Sequence, residues 1–136
     1  MNDVTRPLPN FDEPDTKPFW DGTKQRNLKY QQCADCQTVV FHPRRHCTGC
    51  LGSNLVWQVA SGRARVYSYS IVRQSYHPFF RSHIPYVVAW IDLEEGPRLL
   101  SNIVGVDVEE VCCDMEVEVE WEANEDYAIP LFKPVS

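Results

Sequence analysis

At 136 residues the chain has room for one domain or two very small ones. Its mean hydropathy of −0.37 and the lack of any long apolar run indicate a soluble globular chain with no membrane span. A net charge of −6 opposes general attraction to nucleic acid, which depends on neutralising phosphates.

The first residues, MNDVTRPLPNFDEPD, hold three prolines among polar groups and predict an extended arm. They lack the basic start and apolar core of a signal peptide, so the expected compartment is the reducing cytoplasm. Asp15 or Thr16 is placed to cap a short helix with Pro18 in its first turn. That helix carries Phe19, Trp20 and Lys24 and ends before Leu28; its aromatic pair is either core or a docking patch.

Strands are expected over Leu28 to Gln32, Thr38 to His42 and Asn54 to Val59. Between and around them lie Cys33-Ala-Asp-Cys36 and Cys47-Thr-Gly-Cys50, two Cys-x2-Cys knuckles separated by ten residues. Two such pairs offer four soft sulfur donors to one tetrahedral cation, zinc first and a single iron as substitute. Disulfides or redox chemistry are the alternatives, and a reducing compartment disfavours the first. A site closed by four protein ligands holds a fold together and activates no water. Arg44, Arg45 and His46 lie on the loop into the second knuckle.

After the Ser61-Gly62 turn, Val66 to Val72 alternates, with Val66, Ser68, Ser70 and Val72 expected on one face. Tyr67, Tyr69 and Ile71 are expected on the other. Residues 73–85 form a long loop of aromatics and cations, including Tyr76, His77, Phe79, Phe80 and Arg81. Tyr86 to Leu93 is nearly all apolar and predicts a strand buried on both faces. Glu94 to Pro97 turns the chain into a third strand, Arg98 to Val104. Asp107 to Val111 allows one helical turn, and Cys112-Cys113 reads as buried packing beside acidic residues that disfavour thiolates. Met115 to Trp121 alternates with Val117, Val119 and Trp121 inward, and Tyr127 to Phe132 is a last short strand. The acidic run extends from Asp114 to Asp126. The fold class is therefore mainly β, and five strands after Gly62 suit a small, partly open barrel of the oligonucleotide/oligosaccharide-binding (OB) type. A sandwich is the competing architecture.

CADC-x10-CTGC, followed by Ser61-Gly62-Arg63, Val66-Tyr67-Ser68-Tyr69, Pro85-Tyr86-Val87-Val88 and Leu131-Phe132-Lys133-Pro134, resembles the DUF35 family of zinc-ribbon/OB-fold proteins over about Pro18 to Pro134. The resemblance implies an N-terminal arm and helix over 1–27, a rubredoxin-like zinc ribbon over 28–58 and an OB barrel over 59–136. It also implies a non-catalytic accessory subunit of a thiolase-superfamily complex that handles an acyl-CoA. A thiolase, acyltransferase or aldolase subunit would carry the chemistry, an α2β2 assembly is expected, and the small chain would help form the CoA channel. Two departures are Thr48, where the family usually has proline, and Asp114 before Met115, where it usually has glycine.

On this reading Cys33, Cys36, Cys47 and Cys50 hold structural zinc, and Arg44, Arg45, Arg63 and Arg65 are candidates for the CoA phosphates. Phe19, Trp20, His77, Phe79 and Phe80 are candidates for the partner interface. No nucleophile motif or phosphate loop marks a catalytic residue in the chain itself, so its standing as an enzyme rests on the partner. The alternative function is a single-stranded nucleic-acid-binding module, since ribbons and OB folds both serve that role, though net charge makes nucleic acid the less favoured partner.

Overall fold

A computed structural model describes residues 6–124 and 127–135. The first five residues of the expected arm, and Glu125 and Asp126 of the acidic run, lie outside the described residues. After the arm comes helix α1 (Lys17–Lys24), with Pro18 in its first turn where a missing N–H costs nothing. Thr16 stands at the N-cap, but its hydroxyl caps nothing. The Thr16 amide donates to the Glu13 carboxylate at 3.2 Å, in the turn ahead of the helix.

A three-stranded antiparallel sheet follows, ordered β2-β1-β3 from β1 (Lys29–Cys33), β2 (Val39–Val40) and β3 (Leu55–Val59). The remaining strands are β4 (Arg63–Val72), β5 (Tyr86–Leu93), β6 (Arg98–Ile103), β7 (Glu116–Ala123) and β8 (Ala128–Pro134). They close into a barrel in the order β4-β5-β6-β8-β7. The expected barrel was partly open; β7 pairs with β4 on one side and with β8 on the other, which completes the ring. A short helix α2 (Pro78–Arg81) interrupts the loop between β4 and β5. A single 3₁₀ turn at Val108–Glu110 is capped by the Asp107 side chain.

Closure corrects two expectations about faces. In β5, Val87, Ala89, Ile91 and Leu93 point into the barrel and are buried, whereas Trp90 is 42 % exposed on the outside. A closed barrel has only one dry side, so an all-apolar strand still alternates. In β4 the register slips between Val66 and Ser68, so Val66 opposes Ile91 but Ser68 opposes Trp90. The bulge adds a residue at Tyr67 and reverses the phase beyond it. Ser68 and Ser70 thus share the outer side with Trp90 and Val88, and Tyr69 and Ile71 share the inner side with Ala89 and Val87. Ser68 and Ser70 therefore stay apart from Tyr69 and Ile71 as expected, and it is Val66 that parts from the serines it was expected to join.

One hydrophobic core runs from Phe19, Leu28 and Tyr30 into the barrel, where Val66, Ile91, Val117 and Phe132 are fully enclosed. Thr23 of α1 is buried with both hydroxyl functions used: it donates to the Trp20 carbonyl at 2.6 Å and accepts from the Ala128 amide at 3.2 Å. That pair of bonds ties the helix to β8. Gly62, at the entry to the barrel, has φ +89°, and a Cβ there would stand 2.8 Å from Cγ1 of Val119. Gly62→Ala is therefore expected to cost about 1–3 kcal/mol in chemical denaturation, from backbone strain and the clash together.

Candidate functional site

The two knuckles come together at one end of the three-stranded sheet. Each is a tight turn in which the residue after the second cysteine adopts a left-handed conformation: Gln37 has φ +67° and Leu51 φ +65°. The turns are closed by Gln37 N–H to the Cys33 carbonyl at 2.9 Å and Leu51 N–H to the Cys47 carbonyl at 3.0 Å. Neither residue is glycine, so each turn stores strain of order 1 kcal/mol that something must hold.

The four sulfurs of Cys33, Cys36, Cys47 and Cys50 all lie within 4.8 Å of one another. Cys33 to Cys50 measures 3.7 Å and Cys36 to Cys47 measures 3.5 Å. Four thiolates about 2.3 Å from a central zinc, arranged tetrahedrally, would be roughly 3.8 Å apart, so the donor set fits the ion. Cys33 and Cys47 are buried, and Cys36 and Cys50 face outward, so the ion would sit between sheet and solvent with every position filled by sulfur.

In the metal-free chain the thiols are unequal. Hydrogen bonds from the Thr38 hydroxyl and amide, and a bond to Cys47, hold Cys36 down to about 6. Bonds from the Cys50 and Gly49 backbone lower Cys47. At Cys50 the Gly52 amide lowers the pKa, but the sulfurs of Cys33, Cys36 and Cys47 and burial outweigh it, pushing it up to about 12. A cation must therefore displace the proton that the neighbouring sulfurs hold on Cys50. Protons compete with metal for thiolates, so release is expected as pH falls from about 7 to 5, read with a chromogenic chelator.

The ribbon also fixes its loop. The buried Gln31 of β1 makes both bonds of its amide to one residue, donating to the Arg44 carbonyl at 3.1 Å and accepting from the Arg44 amide at 2.9 Å. This holds Arg44 and Arg45 beside the knuckles. They line a shallow depression with Asp15, Pro18, Leu55 and Trp57, and Arg45 pairs with Asp15 at 2.9 Å. Arg63 and Arg65 line a different depression on β4, together with Asp92, Glu94, Asp114 and Glu116. Arg65 is bound to Glu116 at 2.7 Å. The four candidate arginines therefore do not share one pocket, and the second pair stands among four carboxylates. Among the described residues, no carboxylate lies within ion-pair distance of Arg44 or Arg63.

The aromatic candidates divide as well. Phe19 is only 7 % exposed and packs edge-on to Phe41 at 5.6 Å, so it belongs to the core. Trp20 is half-buried and lines an apolar groove with Phe41, Leu100 and Ile129. His77 caps α2, its Nδ1 accepting from the Phe79 amide at 3.1 Å. Phe79 stacks on His83 at 4.3 Å, and Phe80 leans on Tyr86 at 5.6 Å.

The sequence reading missed an exposed apolar face outside β4, β5 and β6. Trp90 and Leu100 are directly opposed across β5 and β6, and Tyr67 and Leu100 are 54 % and 51 % exposed. Arg98 lies 3.5 Å above the Tyr67 ring and is bound to Asp92, so the charges on this face cancel. The bulge parts Tyr67 from Tyr69 and Ile71, with which it was expected to share a face, and nothing local announced it. Cys112 and Cys113, expected as buried packing, are both exposed. They enter a turn closed by Met115 N–H to the Cys112 carbonyl, whose third residue, Asp114, has φ +66°. A glycine would take that conformation without strain.

Comparison with known proteins agrees with this geometry. Residues 20–56 match the rubredoxin-like zinc ribbon domain of ChsH2, and residues 57–122 match the ChsH2 C-terminal OB-fold domain. A probable enoyl-CoA hydratase alpha subunit of Thermomonospora curvata is 37 % identical over 85 % of this chain, which spans only 36 % of that protein's length. A DUF35 domain-containing scaffold protein of Methanothermobacter thermautotrophicus is 35 % identical over 85 % of this chain and 92 % of its own. The solved structure of an Ltp2–ChsH2(DUF35) aldolase contains a chain that superposes with a TM-score of 0.81 at 35 % identity, covering 95 % of this chain and 98 % of that one.

Proposed function

We propose, since the chain belongs to the DUF35 family of zinc-ribbon and OB-fold proteins, that it is a zinc-bearing, non-catalytic subunit of a thiolase-superfamily complex acting on an acyl-CoA. The observation that carries this reading is the near-complete superposition on a chain from a structure whose name joins a DUF35 protein to an aldolase. In this reading the catalytic subunit supplies the reacting groups, and this chain stabilises it and borders the CoA channel.

The partner surface is assigned to the apolar face of Tyr67, Trp90 and Leu100, with the loop of His77, Phe79 and Phe80 at the end of the same strands. Trp20 adjoins it, whereas Phe19 is committed to the core. Exposed aromatic and aliphatic groups with neutralised charge favour a protein surface over a polyanion. Purification of the tagged chain from its native host should bring a thiolase-fold protein identified by mass spectrometry. Trp90→Ser with Leu100→Ser, and separately Phe79→Ser with Phe80→Ser, should release it; retention by both pairs would move the interface elsewhere.

CoA is assigned to the ribbon depression, because Arg44 has no carboxylate partner among the described residues and the β4 depression is dominated by acid. Loss of one charge-assisted bond costs roughly 1.5–3 kcal/mol, so Arg44→Glu should raise the acyl-CoA KM of the complex about tenfold or more. Arg63→Glu should change it far less. An unchanged KM in Arg44→Glu would remove CoA from the ribbon.

A second reading draws on the same outer face, because OB folds bind single strands on these strands and stack bases on aromatics. Salt-dependent retention on single-stranded DNA would favour it.

A further inference from the structure

We propose that the mouth of the barrel carries a guanidinium site and that the chain's own N-terminal arm supplies its occupant, Arg6. Three groups build the site. The Glu122 carboxylate, near the end of β7, accepts two bonds, from Nε of Arg6 at 2.7 Å and from Nη2 at 2.9 Å. The rings of Phe79 and Phe80 flank the guanidinium, whose carbon lies 4.9 and 5.6 Å from their centroids. Behind them is a recess of about 260 Å³ that also includes Tyr86, Val106 and Val108.

The ligand class follows from this chemistry. A carboxylate taking two bonds from one planar fork, with ring faces beside that fork, suits arginine; a lysine ammonium is a point charge and cannot make both contacts. Burial separates Arg6 from the other paired arginines. Its side chain is 17 % exposed, whereas Arg45 and Arg65 in their own ion pairs are 73 % and 59 % exposed. Water screens those pairs, but Arg6 is set into the surface.

The arm is pinned again further on. Phe11 stacks on Tyr127 at 4.6 Å and meets Trp20 edge-on at 5.0 Å. Residues 6–11 thus form a strap from the barrel mouth to α1. Helix α2 has no buried residue of its own, so the loop bearing Phe79 and Phe80 depends on contacts such as this one for its position. The strap orders that loop before any partner meets it, and the site stands whether or not a partner docks there.

The test uses the full zinc-loaded chain at about 0.15 M salt. The Arg6 Nε–H resonance should be displaced from that of a free arginine by the carboxylate bond and the rings, and should exchange slowly. Glu122→Gln, and Phe79→Leu with Phe80→Leu, should each return it toward the position of a free arginine. Arg6→Ala should raise amide exchange over residues 76–84 about fivefold, while exchange in β1 stays unchanged. Arg6→Lys should recover less than half of that protection. A free-arginine resonance in the unaltered chain would overturn the proposal, and so would unchanged loop exchange in Arg6→Ala.

Discussion

Removing the metal is expected to abolish the ribbon as an ordered unit. Structural zinc contributes about 10–16 kcal/mol of apparent binding energy in isolated finger peptides, comparable to the whole stability of a small domain. Little else holds this region. Its sheet has one strand of two residues, β2, and its two knuckle turns carry strained residues, Gln37 and Leu51. Metal analysis should give one ion per chain. Chelation, or Cys33→Ser or Cys47→Ser, should strip amide protection from residues 29–59. Because Leu28 and Tyr30 belong to the common core, the melting temperature of the barrel should fall as well. The loop of Arg44 and Arg45, held by Gln31 on β1, should lose its position, and assembly with the catalytic subunit should weaken. Full assembly and activity of a metal-free complex would show that the ion clamps nothing that matters.

Truncating the centre of the barrel should have an effect of similar severity from a different cause. Phe132 is completely enclosed and sits where the ring closes: it pairs with Ile103 in the parallel β6–β8 contact and with Val119 of β7. Its carbonyl also accepts from the Val104 amide at 2.7 Å. Phe132→Ala should cost about 3–5 kcal/mol, since the cavity is walled by three strands that cannot collapse into it. For a chain of this size that lowers Tm by roughly 10 °C or more. Metal content should stay at one ion per chain, which separates this failure from that of the ribbon. Trp90→Ser makes the informative contrast. Trp90 is on the outside, so stability should change by only about 0.5 kcal/mol even where partner binding is lost. A large stability loss in Trp90→Ser would mean that the ring is core after all and offers nothing to a partner.

Much of the candidate site was legible because its signals are local. A Cys-x2-Cys knuckle specifies its turn within four residues, and two of them define a donor set whatever lies between. The alternation of Val117, Val119 and Trp121 with glutamates identified β7 and its inner side, and Pro18 placed the start of α1. Where the sequence misled, the deciding contact was distant or the pattern ambiguous. Apolar residues throughout β5 cannot say which side is dry. Four arginines in one half of the chain cannot say that two of them stand among carboxylates on β4. Cys112-Cys113 looked like packing because cysteine usually is, yet the turn at Asp114 sets both in solvent.

The residues alone therefore determined the metal ribbon, the mainly β class, the strand count of the barrel and the family. The first three depend on spacing and periodicity over a few residues, where local geometry leaves little choice, and the family on a resemblance carried by motifs along nearly the whole chain. Only the tertiary structure decided the closure of the ring, the bulge that parts Tyr67 from Tyr69, the exposed face of Trp90 and Leu100, and the seat of Arg6 on Glu122. Those last two residues are separated by 116 positions. Pairing across such a distance is settled by which surfaces the closed barrel brings together, and no local rule encodes it.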